Sequence, residues 1–148
     1  MQPLNLPTYP LKIKSNENNY AIFDIIRKKY MVLTPEEWVR QHLIHYLIKD
    51  KSYPISLIAV EKKLTINGLT KRTDILVFNT KGLPEIIVEC KAPSVKITQG
   101  SFDQIARYNL KLQANYLIVS NGLHHFFCKM DTKNECYIFL ENIPNYTK

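Results

Sequence analysis

The chain has 148 residues, with 20 Lys and Arg against 13 Asp and Glu, for a formal charge of +7 at neutral pH. That length predicts one domain over residues 1–148 with a real core, and a 45% apolar content excludes a disordered chain. No run approaches the roughly 20 apolar residues of a membrane-spanning helix, and the excess of positive charge favours a polyanionic partner such as nucleic acid.

In chain order, residues 1–7 lack the basic stretch and apolar core of a secretory leader, so a cytoplasmic location is expected. Residues 1–10 carry three prolines and should run extended over the surface. Residues 11–14 and 20–26 read as strands around the polar turn 15–19, an N-terminal hairpin within an extension over residues 1–33. The basic triplet Arg27-Lys28-Lys29, flanked by aromatics, suits either a phosphate backbone or a solvated turn. The core is expected over residues 34–140. It opens on Thr34-Pro35-Glu36-Glu37, in which threonine caps a helix, proline suits its first position and Glu37 completes a capping box. The helix should span residues 35–49, with Trp38, Leu43, Tyr46 and Leu47 on its apolar side. Glu37 has two readings, a cap or a carboxylate that helps hold a metal. His42 and His45 have a spacing able to bind metal. With no third ligand near them in sequence, ordinary histidines are the stronger reading. The three cysteines, Cys90, Cys128 and Cys136, have neither zinc nor redox spacing and read as buried free thiols.

Residues 55–64 read as a long strand, and Asn67-Gly68 as a tight turn. Lys71 and Arg72 precede Asp74, placed either to meet phosphate or to solubilise the turn. Asp74 opens the apolar run Ile75-Leu76-Val77-Phe78, residues 79–82 turn the chain, and Ile86-Ile87-Val88 leads into Glu89-Cys90-Lys91-Ala92-Pro93. Side chains two apart in a strand share a face, so Glu89 and Lys91 stand side by side while Val88 and Cys90 face the other way. Pro93 ends the strand. An antiparallel pairing of the two runs brings Asp74 and Glu89 to one face near the same end. Two carboxylates and a lysine there suit a hard divalent cation, Mg²⁺ or Mn²⁺. Asp74, Glu89 and the Cys90 backbone carbonyl would ligate it, and Lys91 would orient the attacking water of a phosphodiester hydrolysis. Taken singly, these charges could be a strand-end ion pair and a turn cap. Together, and directly after four apolar residues, they make an expensive cluster of the kind retained for function.

A loop over residues 94–100 carries Lys96. Ser101 is the expected cap of a helix over residues 102–112, with Phe102, Ile105, Ala106, Leu110 and Leu112 inward and Gln104, Arg107, Tyr108 and Lys111 on another side. Strands follow over residues 116–119, 124–130 and 136–140, and the tail from residue 141 should be loosely held. The order predicts an α/β or α+β fold, a central mixed sheet flanked by helices, with a right-handed crossover between the strands at residues 91 and 116 if they are parallel neighbours.

A helix, a three-stranded meander carrying Asp74…Glu89-x-Lys91, then a helix and a strand is similar to the core of the PD-(D/E)XK nuclease superfamily. Thr34-Pro35-Glu36-Glu37-Trp38-Val39-Arg40-Gln41, Arg72-Thr73-Asp74-Ile75, Val88-Glu89-Cys90-Lys91-Ala92-Pro93 and Phe102-Asp103-Gln104-Ile105-Ala106-Arg107-Tyr108 resemble, more closely, the N-terminal nuclease domain of type I restriction enzyme R subunits. The resemblance covers roughly residues 20–140, with Thr73-Asp74 where the superfamily has Pro-Asp. It implies a restriction-endonuclease-like core, a metal-dependent DNA endonuclease activity, and motor or specificity subunits or a second copy as partners. It also implies roles for Glu37 at the metal shell, Gln104 at phosphate or water, and Tyr108 packed beneath it or against DNA. Lys71, Arg72, Lys96 and Arg107 are the accompanying candidates for contacts with nucleic acid. The chain has no Gly-x-x-x-x-Gly-Lys-Ser/Thr loop, so ATP-driven translocation is not implied. The other reading is a non-catalytic nucleic-acid-binding or subunit-interaction module on the same fold.

Overall fold

The computed structural model describes residues 1–147. A three-stranded antiparallel sheet comes first, formed by β1 (Ile13–Ser15), β2 (Tyr20–Asp24) and β3 (Lys29–Val32). The expected hairpin is thus present and carries a third strand. Next come α1 (Pro35–His45), β4 (Ile58–Ile66), β5 (Leu69–Phe78), β6 (Pro84–Cys90), α2 (Gln99–Leu110), β7 (Tyr116–Ser120), β8 (His125–Asp131) and β9 (Cys136–Leu140). The six later strands form one mixed sheet in the order β4-β5-β6-β7-β8-β9. Only β6 and β7 are parallel, and α2 makes the crossover between them.

Local chemistry explains the helix boundaries. Thr34 Oγ1 accepts the Glu37 N–H at 3.0 Å, and Pro35 costs no hydrogen bond in the first turn. The Glu37 carboxylate does not return to the cap; it points into the protein. α1 then widens into one π-helical turn over Tyr46–Asp50. α2 starts earlier than its sequence suggests, because Thr98 is the cap and Ser101 is the third helical residue of a reciprocal capping box.

Period-two alternation divides the core between the faces of the large sheet. Ile75, Val77, Ile86, Val88, Cys90 and Ile118 pack with Val39, Leu43, Ile44 and Leu47 on the α1 side. Leu76, Ile87, Leu117 and Val119 pack with Phe102 and Ala106 on the α2 side. The β4–β5 hairpin changes sides part-way. Ile58 and Val60 belong to the α1 cluster, yet Leu64, of the same parity, packs on the α2 cluster. Leu69 and Ile75 are divided in the same way on β5. The change occurs where the ladder pairs Val60 with Ile75 and Lys62 with Thr73 but skips Glu61 and Asp74. Glu61 sits at φ 57°, a left-handed conformation that costs a residue with a side chain about 1–3 kcal/mol.

Both chain ends are held more firmly than their composition suggests. Leu4, Leu6 and Tyr9 pack on the α1 cluster, the Asn5 N–H bonds Gly122 O at 2.8 Å, and Trp38 Nε1 donates to Gln2 O at 2.8 Å. Gly122, at φ 86°, leaves room for Leu4, whose methyl would lie 2.7 Å from any added Cβ. The tail is not loose: Ile143 is buried, Tyr53 Oη donates to Pro144 O and the Tyr146 N–H donates to Lys51 O. Cys90 and Cys128 are buried as expected, whereas Cys136 is exposed.

Asp24 anchors the small sheet. Its carboxylate is fully buried and accepts the Ile26 and Arg27 N–H groups at 2.7 and 2.9 Å and Arg27 Nε at 2.7 Å. Burial opposes the charge, but the Arg27 and Ile26 hydrogen bonds outweigh it and hold the pKa below the ordinary carboxylate value. The resulting stability is present above the unfolded-state pKa, about 4, and is lost as pH falls through the lower folded value. Asp24→Asn should therefore lower unfolding free energy by about 2 kcal/mol at pH 7. Urea titrations at stepped pH should show the gap between variant and parent closing below about pH 4.

Candidate active site

β5 and β6 pair Ile75 with Val88, which sets Asp74 opposite Glu89. Asp74 Oδ2 accepts the Cys90 N–H at 2.7 Å, and Oδ1 accepts Arg40 Nη2 at 3.1 Å. Glu89 is 9% exposed, and its Oε1 takes the Lys71 ammonium as an ion-pair partner. Lys71 reaches Glu89 because the β4–β5 hairpin has already turned its odd-numbered residues toward α2. Lys91 follows β6 directly, and its N–H donates to Ser120 O at 2.8 Å, which ties it to the end of β7. Among the described residues, no carboxylate lies within ion-pair distance of the Lys91 ammonium.

Arg40 joins helix to sheet. It is 5% exposed, and its guanidinium touches four carboxylates: Glu37 at 2.7 Å, Glu61 at 2.8 Å, Asp74 at 3.1 Å and Glu36 at 3.3 Å. Burial alone would lower its pKa, but the Glu37 charge and the other anions raise it above the ordinary value. Glu37 in turn accepts Arg27 Nη2 at 3.0 Å and Gln41 Nε2 at 3.0 Å. Glu37 is thus linked to Asp74 through Arg40, and the triplet's Arg27 is spent internally on Asp24 and Glu37. Burial, followed by repulsion from Asp74, pushes the Glu36 pKa up. Burial, with repulsion from Lys91, pulls the Lys71 pKa down against the attraction of Asp74.

Other predicted residues divide into near and far. Lys71 Nζ stands 5.1 Å from the Tyr108 ring centroid, and Lys71, Gln104, Ile105 and Tyr108 line a shallow groove of ≈ 290 Å³. Arg72 makes only a 3.4 Å contact with Glu61. Lys96 lies exposed in its loop, and Arg107 lines a separate cleft with Lys111, Gln113 and Glu135. That cleft is larger, at ≈ 790 Å³, but a single carboxylate, Glu135, lines it. Chemistry therefore favours the smaller groove beside Glu89. His42 is buried with Nδ1 on Trp38 O, and His45 is buried with neither ring nitrogen bonded, so both are core histidines.

Sequence reasoning missed Arg40, Glu36 and the ionic role of Glu61. A signal for Arg40 existed: it stands three and four residues after two glutamates on one helix. Glu61, the acid that ends an apolar run ahead of Lys62 and Lys63, was a weaker one.

Among the described residues, no group of three or more His, Cys, Asp or Glu is arranged to hold a metal ion. The donor set nonetheless suits Mg²⁺, because carboxylates and a backbone carbonyl are hard oxygen ligands. Asp74, Glu89 and the Cys90 carbonyl are the groups that would hold a cation, and Lys71 is the group that would leave Glu89 to admit it.

A family model described as type I restriction enzyme R protein N terminus matches residues 35–144. No curated protein matches the chain. The matched segment contains Glu37, Asp74, Glu89, Lys91 and Gln104; the three-stranded sheet lies outside it.

Removing Arg40 would leave Glu37 and Asp74 buried without their shared cation. Arg40→Met should destabilise by about 3–5 kcal/mol in urea unfolding. Arg40→Lys, which keeps the charge but loses the fork, should recover part of that loss.

Proposed function

The chain belongs to the type I restriction enzyme R protein N-terminus family, and from that premise we propose that it is a metal-dependent endonuclease that hydrolyses phosphodiester bonds in DNA. The observation that carries the reading is the Asp74–Glu89 pair, in register on adjacent strands, with Lys91 two residues beyond Glu89 and outside every ion pair among the described residues. When bound, Mg²⁺ or Mn²⁺ supplies positive charge against the phosphate and makes water more acidic. Asp74 and Glu89 would hold it, with the Cys90 carbonyl. Lys91, paired with no carboxylate among the described residues, orients the attacking water and offsets charge at the phosphate. Arg40 fixes one oxygen of Asp74 and the Cys90 N–H fixes the other, so the carboxylate cannot rotate away. Gln104, beside Lys71 in the groove, offers an amide donor to an approaching backbone. The family's place in restriction systems makes motor and specificity subunits the expected partners, with a homodimer as the other arrangement.

A second reading, a non-catalytic binding or subunit-interaction module, draws on a different observation. Arg40 and Lys71 already neutralise the two carboxylates.

Nicking of supercoiled plasmid separates the two. Purified protein should cut with Mg²⁺ or Mn²⁺ and not with EDTA, and Asp74→Asn or Lys91→Ala should lower the rate at least about 100-fold. Folded protein that cuts with neither metal supports the module, and equal cutting by Lys91→Ala removes Lys91 from the site. Lys71→Gln should lower the Mg²⁺ concentration needed for half-maximal nicking, because the ammonium that competes for Glu89 is gone.

A further inference from the structure

The small sheet has an inner and an outer face. Ile22 and Asp24 are buried, which fixes the inner face. Register then assigns the outer one: Lys14 opposes Ala21, Ala21 opposes Val32, and Phe23 opposes Tyr30. Lys12 joins them, one step before β1, with its carbonyl accepting the Phe23 N–H at 2.9 Å. The outer face is therefore Lys12, Lys14, Ala21, Phe23, Tyr30 and Val32, and none of these is acidic. Lys14 Nζ lies 4.1 Å from the Tyr30 ring centroid, and Lys12 Nζ lies 5.7 Å from that of Phe23. The rings touch edge to face at 5.3 Å. Tyr30 is 39% exposed and Val32 63%.

Lysines resting on an exposed ring, Tyr30, and a half-buried one, Phe23, are a polar cover over an apolar surface, and both parts are available to a ligand. Two cations without a carboxylate select a polyanion. Two neighbouring aromatic rings select something flat. A duplex hides its base faces in its own stack, whereas a single strand offers bases and phosphates together.

We propose that the outer face of β1, β2 and β3 binds single-stranded DNA, with bases stacking on Tyr30 and Phe23 and phosphates on Lys12 and Lys14. The choice of DNA over RNA rests on the function proposed above; the stacking chemistry does not. Arg27, held by Asp24 and Glu37, takes no part in the contact and instead holds this sheet against α1.

Binding is read by fluorescence anisotropy in EDTA, where the proposed hydrolysis is off. The probes are a labelled oligothymidylate of about 16 nucleotides, the matching RNA and a duplex of equal length. Tyr30→Leu keeps an apolar side chain and should weaken single-strand binding about tenfold, while duplex affinity stays within about twofold. Lys12→Gln with Lys14→Gln should weaken it as well, and should reduce the slope of log affinity against log salt by about 1.4. Unchanged single-strand affinity in both variants overturns the proposal. So does a loss that is equal for duplex and single strand, or a tenfold preference for RNA. Self-association abolished by Val32→Lys, without oligonucleotide binding, assigns the face to a second copy instead. Plasmid nicking by the same variants is scored separately, so a failed platform and a failed nuclease give different results.

Discussion

One buried guanidinium holds α1 to the sheet. Arg40 gathers Glu36 and Glu37 from its own helix, Glu61 from β4 and Asp74 from β5. A planar fork with five donors is suited to this, and a lysine in its place would reach fewer oxygens in a fixed direction. Desolvating that many charges is costly, and the arrangement survives because three of the four partners also have a second bond, Glu37 to Arg27 and Gln41, Asp74 to the Cys90 N–H and Glu61 to Arg72, while Glu36 stays exposed to water.

The hairpin that supplies two of those anions is itself bent to suit them. β4 and β5 keep their register on both sides of Glu61 and Asp74, yet the pair between them is skipped and the apolar residues change sides. Glu61 stores backbone strain at that point. Because of the change of face, Asp74 meets Arg40 on the α1 side, while Lys71, three residues earlier, meets Glu89 and Tyr108 on the α2 side. An uninterrupted two-residue alternation would instead hold Lys71 on the side of Ile75.

The parts legible in the sequence were those decided locally. Apolar alternation and the turn at Asn79 determine how β5 meets β6, and hence that Asp74 stands opposite Glu89 in the strand register, though not which face each side chain takes. Thr34-Pro35 marks the start of α1. Reading Ser101 as the cap of α2 was close, since it bonds Thr98 reciprocally, but the cap itself depends on backbone angles that sequence does not state. The rest depended on distant partners. Arg40 is buried only because Glu61 and Asp74 arrive from strands 21 and 34 positions later. Prolines and polar residues at the ends suggested loose segments, but Leu4 finds the space left by Gly122, and Ile143 and Tyr146 close on residues around Lys51 and Tyr53.

The internal counter-charges on Asp74 and Glu89 also determine an order of assembly. In a small zinc domain the ligands repel one another until the ion arrives, so loading and folding are one event. Here Arg40 and Lys71 balance the two carboxylates within the chain itself. The architecture can therefore be completed on the ribosome's timetable rather than the ion's, and any divalent cation meets a finished fold.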